Sequence, residues 1–330
     1  MRPPLGIFVL AAAFAPSVRA AGDPLDSALA KASAKDGVKI ALVAEAPEAA
    51  LGGEIVLRVA VANASDTAVT VNELRLDELS VAFETRLPGL EPFEYCELAC
   101  LPGGDTLALK REAIPSGKDL RETFRLPAIL SGKTTFTARY FGFGDPEGEG
   151  LSSAPVEVEV KPGEGGATRV AAALETDRGT VVVEFHPDSA PNTVLHFARL
   201  VRNGFYDGTV FHRIEPGFVV QGGDPRGNGT GGPEFLLRGE FSERKHVAGT
   251  VAMARTDDPD SAGSQFYFTL APAPHLDGAY TVFGRAADGF EAIVKMAEDP
   301  RSRPVLKKAA LVPRAAEKAE KKEEKKESGS

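Results

Sequence analysis

Residues 211–224 read FHRIEPGFVVQGGD, one histidine, one arginine, one glutamine and one aspartate set into an apolar run. With Thr209 and Val210 ahead of it, the stretch supplies two short β-rich runs, TVFHRI and GFVVQGGD, and three more follow: GTVAMAR, SQFYFTL and YTVFGRA. Amphipathic helices frame the series. In SAPNTVLHFARLVRNG (189–204), Val194, Phe197, Ala198 and Val201 fall at i, i+3, i+4 and i+7, with Pro191 near the start and Gly204 as the stop. In GFEAIVKMAEDP (289–300), Phe290, Ile293, Val294 and Ala297 repeat the spacing and Pro300 ends it. VAAALET and TVVVEFH, joined by DRG, form a hairpin ahead of the first helix. Many short strands with only two helices predict a closed barrel capped by helices.

Working outward, KPGEGGAT (161–168) has the glycine, proline and charge of a flexible linker. Before it a period of two dominates: Ile55, Leu57, Val59 and Val61 alternate with Val56, Arg58, Ala60 and Ala62; Phe136, Ala138 and Tyr140 alternate with Thr135, Thr137 and Arg139; Val156, Val158 and Val160 alternate with glutamates. Such alternation marks strands with one wet face. Turn sequences PGLEP, PGGD, IPSGK and LSGK recur about every ten residues, which predicts an immunoglobulin-like antiparallel β-sandwich over residues 38–160. Residues 21–37 and 161–167 are expected as linkers, 168–312 as the barrel domain and 313–330, rich in charges of both signs, as a disordered tail.

The first twenty residues, MRPPLGIFVLAAAFAPSVRA, carry a cationic Arg2, an apolar run from Leu5 to Ala15, and Val18 and Ala20 at the −3 and −1 positions of a cleavage site. They predict a signal peptide of residues 1–20 and an exported, periplasmic or extracellular protein with no membrane span. A formal charge of −9 argues against non-specific nucleic-acid binding, which needs clustered Lys and Arg. Cys96 and Cys100 are the two cysteines, and their spacing leaves a bridge and a pair of thiols both open. His186, His196, His212, His246 and His275 lack metal-ligand spacing, so neither a metal nor a cofactor is expected.

Other motifs lack the context their chemistry needs. Gly227, Gly229 and Gly232 match G-x-G-x-x-G, but Pro233 and Gly239 follow in place of the helix a pyrophosphate rests on. Asp257, Asp258 and Asp260 lack the ligand order of a calcium loop, and Ser264 is outside a nucleophile elbow. His212, with no partner carboxylate placed by the sequence, reads as a structural residue of a strand rather than a general base.

FHRIEPGFVVQGGD, GNGTGG (227–232), AGSQFYFTL (262–270) and HLDGAYTVFG (275–284), in this order and at these separations, closely resemble the cyclophilin family of peptidyl-prolyl cis-trans isomerases, here in an exported bacterial form with an added N-terminal sandwich. The resemblance covers about residues 168–312 and implies an eight-stranded antiparallel barrel with two capping helices. Carried over position by position, it implies Arg213, Phe218 and Gln221 as catalytic residues. Val219, Ala254, Arg255, Gln265, Tyr267, His275, Leu276 and Tyr280 are implied to bind the peptide. Many members have Met at Val219, Asn at Arg255, Phe at Tyr267, Trp at His275 and His at Tyr280, whereas Arg213, Phe218 and Gln221 match.

These residue types suit the reaction. Rotation about an Xaa-Pro bond breaks no σ bond; its barrier is lost amide resonance, about 18–20 kcal/mol. A fixed guanidinium can donate to the prolyl nitrogen as its lone pair localises, an apolar pocket holds the ring, and two glutamines hold the peptide backbone. The activity expected is isomerisation of proline-containing segments of unfolded or exported proteins. The alternatives are a proline-peptide-binding module without turnover, and a sandwich that is itself the working part, with a partner the sequence does not name.

Overall fold

The computed structural model describes residues 23–74, 80–96, 98–99, 111–141, 150–233 and 235–315. The expected signal peptide, Cys100 and all but the start of the expected tail lie outside these residues. Among the described residues no helix is long and apolar enough to cross a membrane.

The N-terminal half contains α1 (Pro24–Lys31) and twelve strands: β1 (Val38–Ala44), β2 (Glu48–Ala50), β3 (Glu54–Asn63), β4 (Val69–Asn72), β5 (Val81–Arg86), β6 (Phe93–Tyr95), β7 (Leu98–Ala99), β8 (Arg111–Ile114), β9 (Asp119–Pro127), β10 (Gly132–Tyr140), β11 (Leu151–Ser152) and β12 (Val156–Lys161). One sheet has the order β1-β3-β9 and a second β2-β12-β10-β5-β6, with β11 on β10. The alternating residues Ile55, Leu57, Val59 and Val61, together with Phe136, Ala138 and Tyr140, are buried in the core the two sheets share.

Three expectations for this half are corrected. Of the expected linker 21–37, the described part from Asp23 is not a free linker: Asp23 caps α1 by accepting from the Leu25 N–H at 3.0 Å, and Pro24 opens the helix. Leu25 and Leu29 then bury against Ala41 and Ala60, so the face of β3 expected to be wet is partly roofed, its alanines leaving room for the helix. Asp23 also pairs with Arg58 and Arg121 at 2.7 and 2.8 Å, and the Arg58 guanidinium holds its carboxyl below the ordinary range. Third, the strands are not all antiparallel, since β2 pairs with β12 in parallel.

The C-terminal half contains α2 (Pro191–Arg202), α3 (Phe290–Ala297) and strands β13 (Arg169–Thr176), β14 (Gly179–Phe185), β15 (Thr209–Val210), β16 (Arg213–Glu215), β17 (Val219–Gly222), β18 (Phe235–Leu236), β19 (Thr250–Met253), β20 (Phe266–Thr269), β21 (Val282–Asp288) and β22 (Val305–Arg314). Nine of these form one antiparallel sheet in the order β15-β22-β13-β14-β21-β19-β20-β17-β16. Only Phe211 and His212 separate its two end strands. The segment 209–215 therefore pairs with one edge through its first half and with the other through its second, which closes the barrel. Eight strands were expected; the sheet has nine, its two end strands being parts of this one segment. Phe197 of α2 plugs the interior, with the rings of Tyr206, Phe283, Phe266 and Phe185 within 4.9–5.9 Å of it.

On α3 the expected stripe is rotated. Ala292, Ile293 and Met296 are buried and Val294 is 43% exposed. Gly289, at φ +76°, lies so close to the Thr180 carbonyl that no Cβ fits, and this contact sets the helix's rotation over β14. The last strand also runs to Arg314, opposite Arg169, rather than ending at residue 312.

The segment 161–167 does not behave as a free linker. Leu51 N donates to the Lys161 carbonyl, Ser131 N to Thr168, and Val170 N to Ile129, while Ala167 is 3% exposed. Ile129, Leu51 and Val170 belong to one apolar core that runs without interruption from the sandwich into the barrel. The halves also share a strand pair, β7 with β18, and the Arg202–Glu54 ion pair.

Candidate active site

Register across the barrel wall builds the site. Arg213 on β16 stands opposite Gln221 on β17, Gln221 opposite Tyr267 on β20, Tyr267 opposite Ala252 on β19, and Ala252 opposite Val282 on β21. Directly paired residues share a face, so five strands present one row from a guanidinium through an amide to an apolar end. Val219 and Ala254, two residues along from Gln221 and Ala252, widen the row on the same face.

The apolar end is a small cluster of its own. Val219, Ala252, Tyr267, Ala273, Leu276 and Val282 are buried together, with Phe218, Ala254 and Tyr280 partly exposed around them, and the cluster is separate from the main core. Phe218 stacks on His275 with ring centres 5.4 Å apart, and the Arg213 guanidinium carbon lies 5.9 Å from the Phe218 centroid. Arg213 is 44% exposed, and its carboxylate neighbour Glu215 is 3.8 Å away, a loose contact that leaves the fork accessible.

The amide end is held by a relay. Gln221 Nε2 donates to Gln265 Oε1 at 3.0 Å, and Gln265 Nε2 donates to the carbonyls of Gly229 and Gly231 at 3.0 and 2.9 Å. Those carbonyls belong to the glycine cluster, whose amides are already spent. The buried Asp224 carboxylate accepts from the N–H groups of Arg226, Asn228 and Gly229 at 2.7, 2.9 and 2.5 Å. Burial pushes this carboxyl up, but the amides outweigh it and hold the pKa below the ordinary value. The G-x-G-x-x-G pattern thus folds around a side chain of its own chain. Gly223, at φ +83°, makes the approach possible, since a Cβ there would collide with the Ser264 carbonyl.

Arg255 is in place but committed. It gives Nε and Nη2 to the Ala279 carbonyl and Nη1 to those of Thr256 and Asp257, and lies over the Tyr280 ring at 4.7 Å. It therefore props the Tyr280 wall, where sequence reasoning expected it to bind peptide.

Sequence reasoning missed Ala252, Ala273, Val282, His246 and Asp277. The alternation of Ala252 with Ala254 carried a signal for the first; nothing local marks His246. Its ring is fully buried beneath Tyr267, with Nδ1 3.1 Å from Asp277 Oδ1 and Nε2 3.1 Å from the Tyr267 hydroxyl. A carboxylate only accepts, so Nδ1 carries the proton and Nε2 accepts from the tyrosine. Burial pulls the His246 pKa below its ordinary value against the pull of Asp277, and burial keeps the Tyr267 phenol un-ionised. His212 alternates to the face away from Arg213; its buried Nδ1 has no partner among the described residues.

Residues 171–314 match the family described as cyclophilin type peptidyl-prolyl cis-trans isomerase/CLD. A peptidyl-prolyl cis-trans isomerase of Synechococcus elongatus is 48% identical over 117 residues, which are 36% of this chain and 80% of that one. Peptidyl-prolyl cis-trans isomerase B of Bacillus subtilis is 45% identical over 120 residues, 36% of this chain and 83% of that one. Among solved structures, a cyclophilin-type isomerase of Cryptosporidium parvum in the presence of the dipeptide Ala-Pro is similar at 29% identity and a TM-score of 0.42, covering 44% of this chain and 99% of that one.

Proposed function

This chain belongs to the cyclophilin-type peptidyl-prolyl cis-trans isomerases and has their activity, and from that premise we propose that it acts on exported proteins by an electrostatic mechanism centred on Arg213. The observation that carries the mechanism is the row Arg213–Gln221–Tyr267–Ala252–Val282 across five paired strands. A proline ring enters the apolar end, against Phe218, Val219, Ala254, Tyr267 and Leu276. Gln221, oriented by Gln265, holds the backbone on the side that does not rotate. As the Xaa-Pro bond twists, the prolyl nitrogen recovers a localised lone pair, and the Arg213 fork donates to it more strongly than to the planar amide. Arginine stays ionised through the working pH range, so no proton leaves the protein during turnover. Phe218, stacked on His275, lies beside the guanidinium and sheds water from it, which strengthens the interaction.

The site of action rests on the first twenty residues, whose charge, apolar run and small-residue end are those of a cleaved leader. With cleavage after Ala20, Asp23 and its pairs with Arg58 and Arg121 stay in the mature chain. The two facing sheets of the N-terminal half support kinship with immunoglobulin-like sandwiches, as an element that places the isomerase beside its clients.

An isomerisation assay on a prolyl peptide with the mature chain beside Arg213→Ala tests the mechanism. The expected outcome is a loss of about two to three orders of magnitude in kcat/KM. Equal rates for the two would overturn the role of Arg213, and rates at the uncatalysed level for both would leave a binding module. N-terminal sequencing of the protein recovered outside the cytoplasm tests export, with Ala21 as the expected first residue.

A further inference from the structure

A cavity of about 480 Å³ opens at the junction of the two halves. None of its lining residues belongs to the row from Arg213 to Val282 or to the small apolar cluster, so the cavity is not part of the peptide site. We propose that it is a second ligand site, for a small amphipathic monoanion: a carboxylate on an apolar body.

Its size falls within the range of small-molecule sites, roughly 300–1,000 Å³, and junctions between domains are where such sites concentrate. Its lining divides by chemistry. Leu90, Ile129 and Leu130 from the sandwich, with Val170, Phe185 and Val194 from the barrel, are apolar. Arg169, Arg244 and Arg285 face them, with Glu184 and Asp188 as the acids. Both carboxylates are spoken for. Glu184, 4% exposed, lies 3.2 Å from Arg169 Nη1 and 2.6 Å from Arg285 Nη2, and Asp188 lies 2.5 Å from Arg244 Nη2. His186, also on the wall, has its pKa pulled down to about 4, first by burial and then by Arg244, and is neutral at pH 7. Among the described residues Glu184 is shared by Arg169 and Arg285, so the Arg169 fork is only partly engaged.

A second observation points the same way. The Nε of Arg169 is buried and has no hydrogen-bond partner among the described residues. A buried guanidinium N–H without an acceptor costs free energy that a ligand carboxylate recovers. Guanidinium forks match carboxylates in shape, and the opposing apolar wall suits a hydrocarbon or aromatic body.

The same chemistry occurs in free organic acids and in a peptide's C-terminal carboxylate, so the test has two arms. The full chain is titrated calorimetrically with 4-phenylbutyrate and its amide, and with a proline-free tetrapeptide ending in leucine as the free acid and as the amide. Saturable binding of an acid with its amide silent supports the site, and the arm that responds identifies the source. Arg244→Gln, whose freed partner Asp188 is 56% exposed, is expected to weaken that binding about tenfold. Leu130→Trp, which fills the volume and keeps the charges, is expected to abolish it. Isomerase activity is unchanged in both variants and reports that they are folded. Silence of both acids, equal binding of acid and amide, or binding indifferent to both substitutions overturns the proposal.

Discussion

The barrel holds two apolar clusters that differ in nearly everything except composition. The larger contains Phe197, Phe266 and Phe283 and continues through Val170 and Ile129 into the sandwich. The smaller, around Val219, Tyr267 and Leu276, stays apart from it and ends at the exposed rim of Arg213. Side chains that hold the fold and side chains that hold a proline ring therefore sit in different clusters. A substitution that damages one should leave the other nearly intact.

The largest effect expected is on stability. Ile129→Ala removes a 2% exposed side chain where the halves share their core, and should cost about 2–5 kcal/mol in denaturant unfolding while the folded variant keeps its kcat/KM. Because the core is continuous, wild type should unfold in one transition seen alike by probes in both halves; two separate transitions would break the comparison. Next comes Arg213→Lys, which keeps the charge and loses the fork. It should lower kcat/KM about ten- to a hundredfold with no change in Tm, since the side chain is 44% exposed.

Tyr267→Phe probes the base of the small cluster. Loss of the hydroxyl leaves His246 Nε2 buried without its donor, at about 1–2 kcal/mol of stability, with kcat/KM less affected than in Arg213→Lys. Acid should act through the same buried rings. His186, at about 4, and His246 both have folded pKa values below the ordinary imidazole value near 6.5. The unfolded chain thus takes up protons that the folded chain refuses, and stability falls as pH drops from about 6.5 toward 4. A series of Tm measurements over this window should show a shallower fall for His186→Gln. The smallest effect is Arg202→Ala, which removes an ion pair to Glu54 and a bond to the Gly52 carbonyl at the junction; at most about 1 kcal/mol is expected.

The two clusters were also unequally legible. The small one was partly readable because Phe218, Val219, Tyr267, Leu276 and Tyr280 fall in three of the ordered motifs, with Arg213 and Gln221 beside Val219, whereas Ala252 and Ala273 lie outside them. The register that sets Gln221 between Arg213 and Tyr267 was not, since it pairs β17 with β20, whose residues lie more than 40 positions further along the chain. Arg255 illustrates the limit: the family resemblance implied a peptide contact at its position, and only the positions of the Ala279, Thr256 and Asp257 carbonyls show its donors used up. His246 had no neighbour in sequence to betray it, because both its partners, Tyr267 and Asp277, reach it across the fold. In the sandwich, Leu25 and Leu29 were read as linker because a two-turn helix yields little periodicity.

By itself the sequence determined the period of each strand, the apolar stripe of α2, the glycines where the chain bends beside the site, and the family resemblance that names Arg213. All of these are local, fixed by sterics and side-chain alternation within a few residues. Tertiary structure alone decided that residues 209–215 close the barrel, that α1 roofs the sandwich, and that the glycine loop gathers around Asp224. It also decided that the two halves share a core with a charged cavity at its edge. Each of these depends on groups far apart in the chain, whose burial and charge balance exist only once the chain has folded.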